Sequence, residues 1–354
     1  MNVLRVLLPL LLAGLLMGCS ERDRPLEAPV TFDGEIFGTF YQVSVVDSLT
    51  QRQADALEAG ILAELEAVDA AMSTWRDDSE LMAFNAAPLG EWQPLSDELI
   101  DVLAIGQSVA RASDGAFDMT VGGLVNLWSF GPQARPREVP DPLTLAAQLA
   151  QTGPDSVQVD EQGRRARRLR DVFVDLSAVA KGHATDQVAA YLDQQELDHF
   201  LVNLGGELKV RGYRDGEAAP WRVGIEVPES GPQQAQHVLP LADMAVATSG
   251  DYRNYFELDG RRYSHTIDPR SGYPIAHRLA SVSVVHASDA WADAWATALL
   301  VLGEEQGMAL AREQSLAVLM LVRQGEEWTS RVSPAFVEVF GEAVVEDLAV
   351  HIAQ

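Results

Sequence analysis

Ala280-Ser281-Val282-Ser283-Val284-Val285-His286 is followed, after Ala287, by Ser288-Asp289-Ala290-Trp291-Ala292-Asp293-Ala294-Trp295-Ala296-Thr297-Ala298-Leu299-Leu300-Val301-Leu302, and then by Leu316-Ala317-Val318-Leu319-Met320-Leu321-Val322. The first and last runs are short, apolar and rich in β-branched residues, so they read as buried strands; the middle run is long enough to be a helix. Working outward, Ala54–Ala71 carries Leu57, Ile61, Leu65 and Val68 at helical spacing. Ser96–Ala112 reads as a helix with Ser96 as N-cap, and Pro142–Gln151 and Ala184–Gln195 read as two more. Phe40–Val46, Val172–Leu176, Phe200–Val210, Arg222–Val227, Ala245–Thr248 and Tyr252–Leu258 read as strands, and Phe336–Phe340 as the strand that closes the sheet. Strands and helices mix without strict alternation. The expectation is therefore an α/β (α+β) fold, a layered domain around a mixed sheet, rather than a doubly wound parallel one.

No linker or repeat interrupts residues 30–354, so one catalytic unit is expected there. The formal net charge of −26 argues against nucleic acid, because phosphate contacts need a surplus of Lys and Arg. It leaves room for a phosphate-bearing small molecule screened locally by a metal ion and backbone N–H groups. Five arginines fall between Arg164 and Arg170; they read as a solvated hairpin tip, with a contact to anionic lipid headgroups as the minor alternative. The single cysteine, Cys19, excludes internal disulfides and cysteine-cluster metal sites. An apolar run from Val6 to Met17 is too short to span a bilayer and ends in Leu16-Met17-Gly18-Cys19. Residues 1–18 thus read as a signal peptide of the lipobox type, Cys19 as the lipidated residue and 19–29 as a tether, placing the chain on the periplasmic side of a bacterial membrane. Ser20 leans the choice weakly toward the outer membrane over the inner one.

Four segments carry polar groups that could do chemistry. On the helix that starts near Ser288, Asp293 and Thr297 lie one turn apart on one face and suit Mg²⁺, which takes hard oxygen ligands; from spacing alone the simpler reading is that Asp289 and Asp293 only complement the helix dipole. In Val174-Asp175-Leu176-Ser177-Ala178-Val179-Ala180-Lys181-Gly182-His183, a strand end feeds a helix N-terminus, and Lys181 adds positive charge where an anion would sit. In His265-Thr266-Ile267-Asp268-Pro269-Arg270-Ser271-Gly272, a histidine enters a tight turn, either as a base or as a structural group. Asp114–Gly131 is a glycine-punctuated aromatic loop suited to a flat ligand or to core packing, and Trp75 of Met72-Ser73-Thr74-Trp75 is either a stacking ring or a core anchor.

Together with Gly38-Thr39-Phe40-Tyr41, Gly115-Ala116-Phe117-Asp118, Leu124-Val125-Asn126-Leu127-Trp128 and Asn203-Leu204-Gly205-Gly206-Glu207, these segments resemble the ApbE-type family, the FAD:protein FMN transferases, over nearly all of the mature chain. The resemblance implies Mg²⁺-dependent transfer of FMN from FAD to a Thr or Ser hydroxyl of acceptor proteins, subunits of membrane redox complexes, with release of AMP. It implies Ala178 (through its carbonyl), Asp293 and Thr297 as Mg²⁺ ligands. It implies Phe37, Trp75, Ala116, Phe117, Asp118, Asp175, Lys181 and Ile267 as the FAD site, with His265 as base and Lys181 stabilising phosphoryl charge. Ala296 stands where some members carry a second aspartate, which leaves the number of ions open. The alternatives are a Mg²⁺-dependent FAD pyrophosphatase and a non-enzymatic flavin-binding lipoprotein.

Overall fold

A computed structural model describes residues 24–352, apart from 134, 229–233 and 326. The expected signal peptide and Cys19 lie outside the described residues. Strands β1 (Val30–Ile36) and β2 (Thr39–Val45) form the first hairpin. Helix α1 (Gln51–Met72) follows, opened by a capping box between Thr50 and Gln53. It buries Leu57, Ile61, Leu65 and Val68, the stripe expected from the spacing. Then come α2 (Glu80–Ala86), the two-residue strand β3 (Gln93–Pro94), α3 (Asp97–Ala112, capped by Ser96), α4 (Gly122–Leu127) and α5 (Pro142–Leu149). β4 (Val157–Asp160) and β5 (Arg165–Arg168) join β3 in a small sheet.

The second half holds α6 (Ala180–Gln194), β6 (Phe200–Leu204), β7 (Glu207–Arg211) and a separate hairpin of β8 (Trp221–Glu226) with β9 (Ala235–Leu241). β10 (Ala245–Gly250), β11 (Tyr255–Leu258), β12 (Arg261–Ser264), β13 (Ile267–Asp268), β14 (Tyr273–Pro274) and β15 (Leu279–His286) follow. The chain closes with α7 (Asp289–Glu313), β16 (Ala317–Gln324), β17 (Glu327–Val332), α8 (Pro334–Phe340), α9 (Glu342–Asp347) and β18 (His351–Ile352).

Nine strands build the main sheet in the order β1-β2-β6-β7-β10-β15-β16-β17-β18. Every pairing is antiparallel except β17 with β18, so the sheet is mixed, as expected. Side chains alternate between two apolar layers, as the pleat requires. Val282, Val284, Val318 and Met320 face α1, α3, α6 and α7, whereas Val285, Leu319 and Leu321 face the β8–β9 hairpin and α8–α9. Central strand β15 is consequently buried on both faces along nearly its whole length.

Several local expectations are corrected. Phe336–Phe340 is not a strand but most of α8, because Ser333 caps it and Pro334 sits at its first position. Val172–Leu176 is not a strand either: the Asn85 side chain takes both the Val174 N–H (2.7 Å) and its carbonyl (2.9 Å), leaving one bridge, Val121 with Phe173. Phe200–Val210 is two strands, folded back at Gly205 and Gly206 with φ of 61° and 105°. The strand expected at Tyr252 starts at Tyr255. The arginine cluster is a hairpin, but Arg168 points inward and donates to the carbonyls of Ala87 (2.7 Å) and Val172 (2.8 Å). Of the expected tether, Pro25 pairs with Thr50 and the Leu26 N–H donates to Leu49 at 2.7 Å, so this part is docked. Among the described residues no helix is long and apolar enough to cross a membrane.

Candidate active site

Helices α6 and α7 cross so closely that a Cβ on Gly182 would lie 2.4 Å from the carbonyl oxygen of Asp289. Only glycine fits there, and the close crossing lets the Asp293 carboxylate accept the Gly182 N–H at 3.2 Å, capping α6, whose own N-cap Val179 offers no side chain for the purpose. Asp293, Thr297 and Val301 line one cavity from successive turns of α7, and Thr297 Oγ1 lies 3.0 Å from Ser249 Oγ on β10. Lys181, in the first turn of α6, forms an ion pair with Glu207 at the start of β7. Glu207 also accepts the Thr248 N–H at 3.3 Å.

The electrostatics of this junction are unbalanced toward acid. Asp289, Asp293 and Glu207 are all buried, and both carboxylate oxygens of Asp289 lack a partner among the described residues. Burial raises the Asp289 carboxyl well above the ordinary range, helped by Glu207, Asp186 and Asp293. It also raises Asp293, while Lys181 and the Gly182 N–H pull that group back. Burial drives Glu207 up to about 7 against the pull of Lys181. The Lys181 ammonium, which burial alone would lower, is held above the usual lysine value by Glu207, Asp293 and Asp289. A positive ion would relieve this excess of negative charge.

The cavity encloses about 710 Å³. Trp75, Ala116, Phe117, Asp118, Asp175, Ala178, Lys181, His265, Ile267, Asp293 and Thr297 all line it. Phe37 does not: it sits in the β1–β2 turn with φ of 54°, partly buried against the core, and Phe40 lines the cavity instead. Trp75 is 70% exposed, which rules out the core-anchor reading. Ala296 is buried in the core and takes no part in the lining. Asp118 is raised by burial, against the pull of the Thr120 N–H and hydroxyl, which both donate to it at 2.8 Å. Asp175 accepts the Ser177 N–H at 2.8 Å and so shapes the loop carrying Ala178.

His265 follows β12, with its Nδ1 3.0 Å from the Asn254 carbonyl oxygen. Burial lowers its pKa; the Asn254 carbonyl works the other way and Lys181 adds to the lowering. The turn after it is pinned from the aromatic loop, since Trp128 Nε1 donates to the Gly272 carbonyl at 2.8 Å. Glu207, Phe40, Ser249 and Tyr252 also line the cavity, and of these only Glu207, after its Gly205-Gly206 turn, and Phe40 lie in segments that the sequence singles out. Their placement depends on strand register across the sheet, which local pattern does not reveal.

Among the described residues no group of three or more His, Cys, Asp or Glu side chains could hold a metal. The donors that are grouped are a carboxylate, a hydroxyl and the loop at Ala178. Such a set leaves positions open for phosphate oxygens and suits Mg²⁺ rather than a softer metal. A model of the ApbE family matches residues 37–320. The chain belongs to the ApbE family. A protein of Klebsiella pneumoniae named FAD:protein FMN transferase is 42% identical over 91% of this chain and 93% of its own length. One of Vibrio cholerae with the same name is 41% identical over 91% and 95%. The solved flavinyl transferase ApbE of Pseudomonas stutzeri, in its apo form, superposes with a TM-score of 0.80 at 40% identity, covering 88% of this chain and 97% of that one. The flavin transferase ApbE of Vibrio cholerae does so with a TM-score of 0.80 at 38% identity, covering 90% and 100%. These ApbE structures share the layered architecture built on one large, mostly antiparallel sheet.

Proposed function

We infer that this chain is a FAD:protein FMN transferase. The observation that carries the reading is the convergence of Lys181, Asp293 and Thr297 with Trp75, Asp175 and His265 on a single cavity in an ApbE-family chain. In the reaction, the hydroxyl oxygen of an acceptor Thr or Ser attacks the FMN-side phosphorus of FAD. The new P–O bond joins FMN to the protein, the P–O bond to the AMP half breaks, and AMP departs.

Each residue then has a physical task. Trp75 offers a flat apolar face to a ring system. Lys181, held charged by its carboxylate neighbours, stabilises negative charge on the phosphoryl oxygens. His265, kept neutral by burial, takes the hydroxyl proton through a ring nitrogen. Asp293, Thr297 and the Ala178 carbonyl would hold Mg²⁺, whose chemistry here is to neutralise the diphosphate so that an oxygen nucleophile can approach. Support for the ion comes from the all-oxygen donor set and the uncompensated buried acid around it.

The acceptors proposed are subunits of membrane redox complexes. The Leu16–Cys19 lipobox pattern supports export and anchoring through a lipid on Cys19. Incubating the protein with FAD and an acceptor, with Mg²⁺ or with a chelator, tests the reading. AMP and protein-bound flavin should rise together and only with the metal. AMP with free FMN and no labelled acceptor would mark a pyrophosphatase, and intact FAD a binding protein.

A further inference from the structure

Asp186 lies in the second turn of α6, five residues after Lys181, and plays no part in the steps above. Its carboxylate nevertheless joins the three elements that bring Lys181, Glu207 and Asp293 to the cavity. Oδ1 accepts from Lys209 Nζ at 2.6 Å and from the Asp289 N–H at 3.0 Å; Oδ2 accepts from the Ser288 hydroxyl at 2.7 Å and the Ala290 N–H at 3.1 Å. Lys209 stands two residues beyond Glu207 on β7, and Asp289 stands one turn before Asp293 on α7. One carboxylate on the helix of Lys181 thus holds the strand of Glu207 and the helix of Asp293 and Thr297.

We propose that Asp186 is a positioning residue for the phosphoryl transfer: it sets the spacing of Lys181, Glu207 and Asp293 by clamping α6, β7 and α7 together. The proposal rests on the functional reading above. An ordinary cap for α7 is already present, because Ser288 Oγ accepts the Trp291 N–H at 3.4 Å. Asp186 adds a bond to that hydroxyl, two backbone amides from a different helix and the lysine of a strand. Backbone amides cannot swing to follow a moved acceptor as a long side chain can, so they fix the axial position of α7 against α6. Gly182 provides the contact that this fixing needs, with no side chain to hold the helices apart. Displacement of a reacting group by about 1 Å costs on the order of a hundredfold in rate, so a clamp on the supporting elements is felt in turnover.

Asp186→Asn tests this, since asparagine keeps the size but offers one acceptor oxygen to four donors. The expected result is a kcat for FAD cleavage at least about tenfold lower, with KM for FAD changed less than about threefold. Without FAD, the rise in melting temperature produced by saturating Mg²⁺ should also shrink, because the ligand groups are no longer held at the ion's spacing. Lys209→Met, near the surface, releases only β7. It should lower kcat in the same direction by less, and the double variant should be no worse than Asp186→Asn alone. A purely structural role predicts a lower melting temperature with kcat and the Mg²⁺ response both intact. That outcome overturns the proposal, as does a Lys209→Met protein whose kcat and Mg²⁺ response match the unaltered chain should Asp186→Asn fail to fold. If the unaltered chain does not cleave FAD at all, the functional reading fails instead, and the clamp is judged on the Mg²⁺ response of the variants.

Discussion

Lys181 shows how a few neighbours decide what one side chain can do. Its ammonium sits among Glu207, Asp293 and Asp289, so it remains charged under all physiological conditions and contributes charge rather than a proton. Replacing it with methionine keeps much of the volume and removes the charge; kcat should fall by roughly two to three orders of magnitude, the cost of losing one preorganised electrostatic contact. Steady-state rates of AMP release check this. His265 has the opposite character. Its folded-state pKa lies below the ordinary 6.5, so it is neutral and able to accept a proton at pH 7. Activity should therefore decline as pH falls below 6.5, through the depressed value. A pH profile of kcat/KM for FAD with no decline below pH 6.5 would contradict this assignment. His265→Gln should lower kcat by about 10² to 10⁴ and remove the acid limb.

At the scale of elements, the crossing of α6 and α7 is a demanding contact. A methyl group on residue 182 meets backbone atoms of Asp289 and Ala290, which cannot rotate away. Gly182→Ala should destabilise by about 1–3 kcal/mol and lower kcat along with it, because the helices must part; equilibrium denaturation beside turnover checks both. The strong apolar periodicities were legible in the sequence. Leu57, Ile61, Leu65 and Val68 announced α1, and the straight first part of α7 was read to Leu302, where the helix breaks at Gly303 with φ of 77°. The polar ends were harder. Ser333-Pro334 is a helix start, but the short apolar run after it has the look of a strand. The Val172–Leu176 run has the composition of a strand, yet the Asn85 amide, 89 residues from Val174 in the chain, takes the hydrogen bonds a neighbouring strand would need. Asp186 was invisible for the same reason: its partners come from β7 and α7, and nothing in the neighbouring sequence points to them.

At the scale of the whole molecule, the main sheet is covered on both sides, and the two covers have different work. The α1, α3, α6 and α7 layer brings Lys181, Asp293 and Thr297 to the cavity, while α8–α9 and the β8–β9 hairpin close the other face, the hairpin also lending Gly224, Ile225 and Glu226 to the cavity wall. A buried bond ties that second cover to the sheet, with His237 Nε2 2.7 Å from Ser330 Oγ on β17. Burial holds the His237 pKa below 6.5. The unfolded chain therefore binds the extra proton more readily than the folded one, and stability rises with pH through this window and is lost as pH falls below 6.5. Denaturation midpoints measured from pH 7 down to 5 should fall, and His237→Gln should make that slope shallower. An unchanged slope would mean that other groups govern the acid response.

The rim of the cavity carries one more consequence. An indole as open to water as that of Trp75 emits light at the red end of the tryptophan range, unlike the enclosed rings of Trp128 and Trp295. A flavin that stacked against it would displace that water and, absorbing where the indole emits and readily accepting an electron, would quench its emission. The protein thus carries its own optical gauge, able to report arrival of a flavin before a bond is broken and without any attached dye.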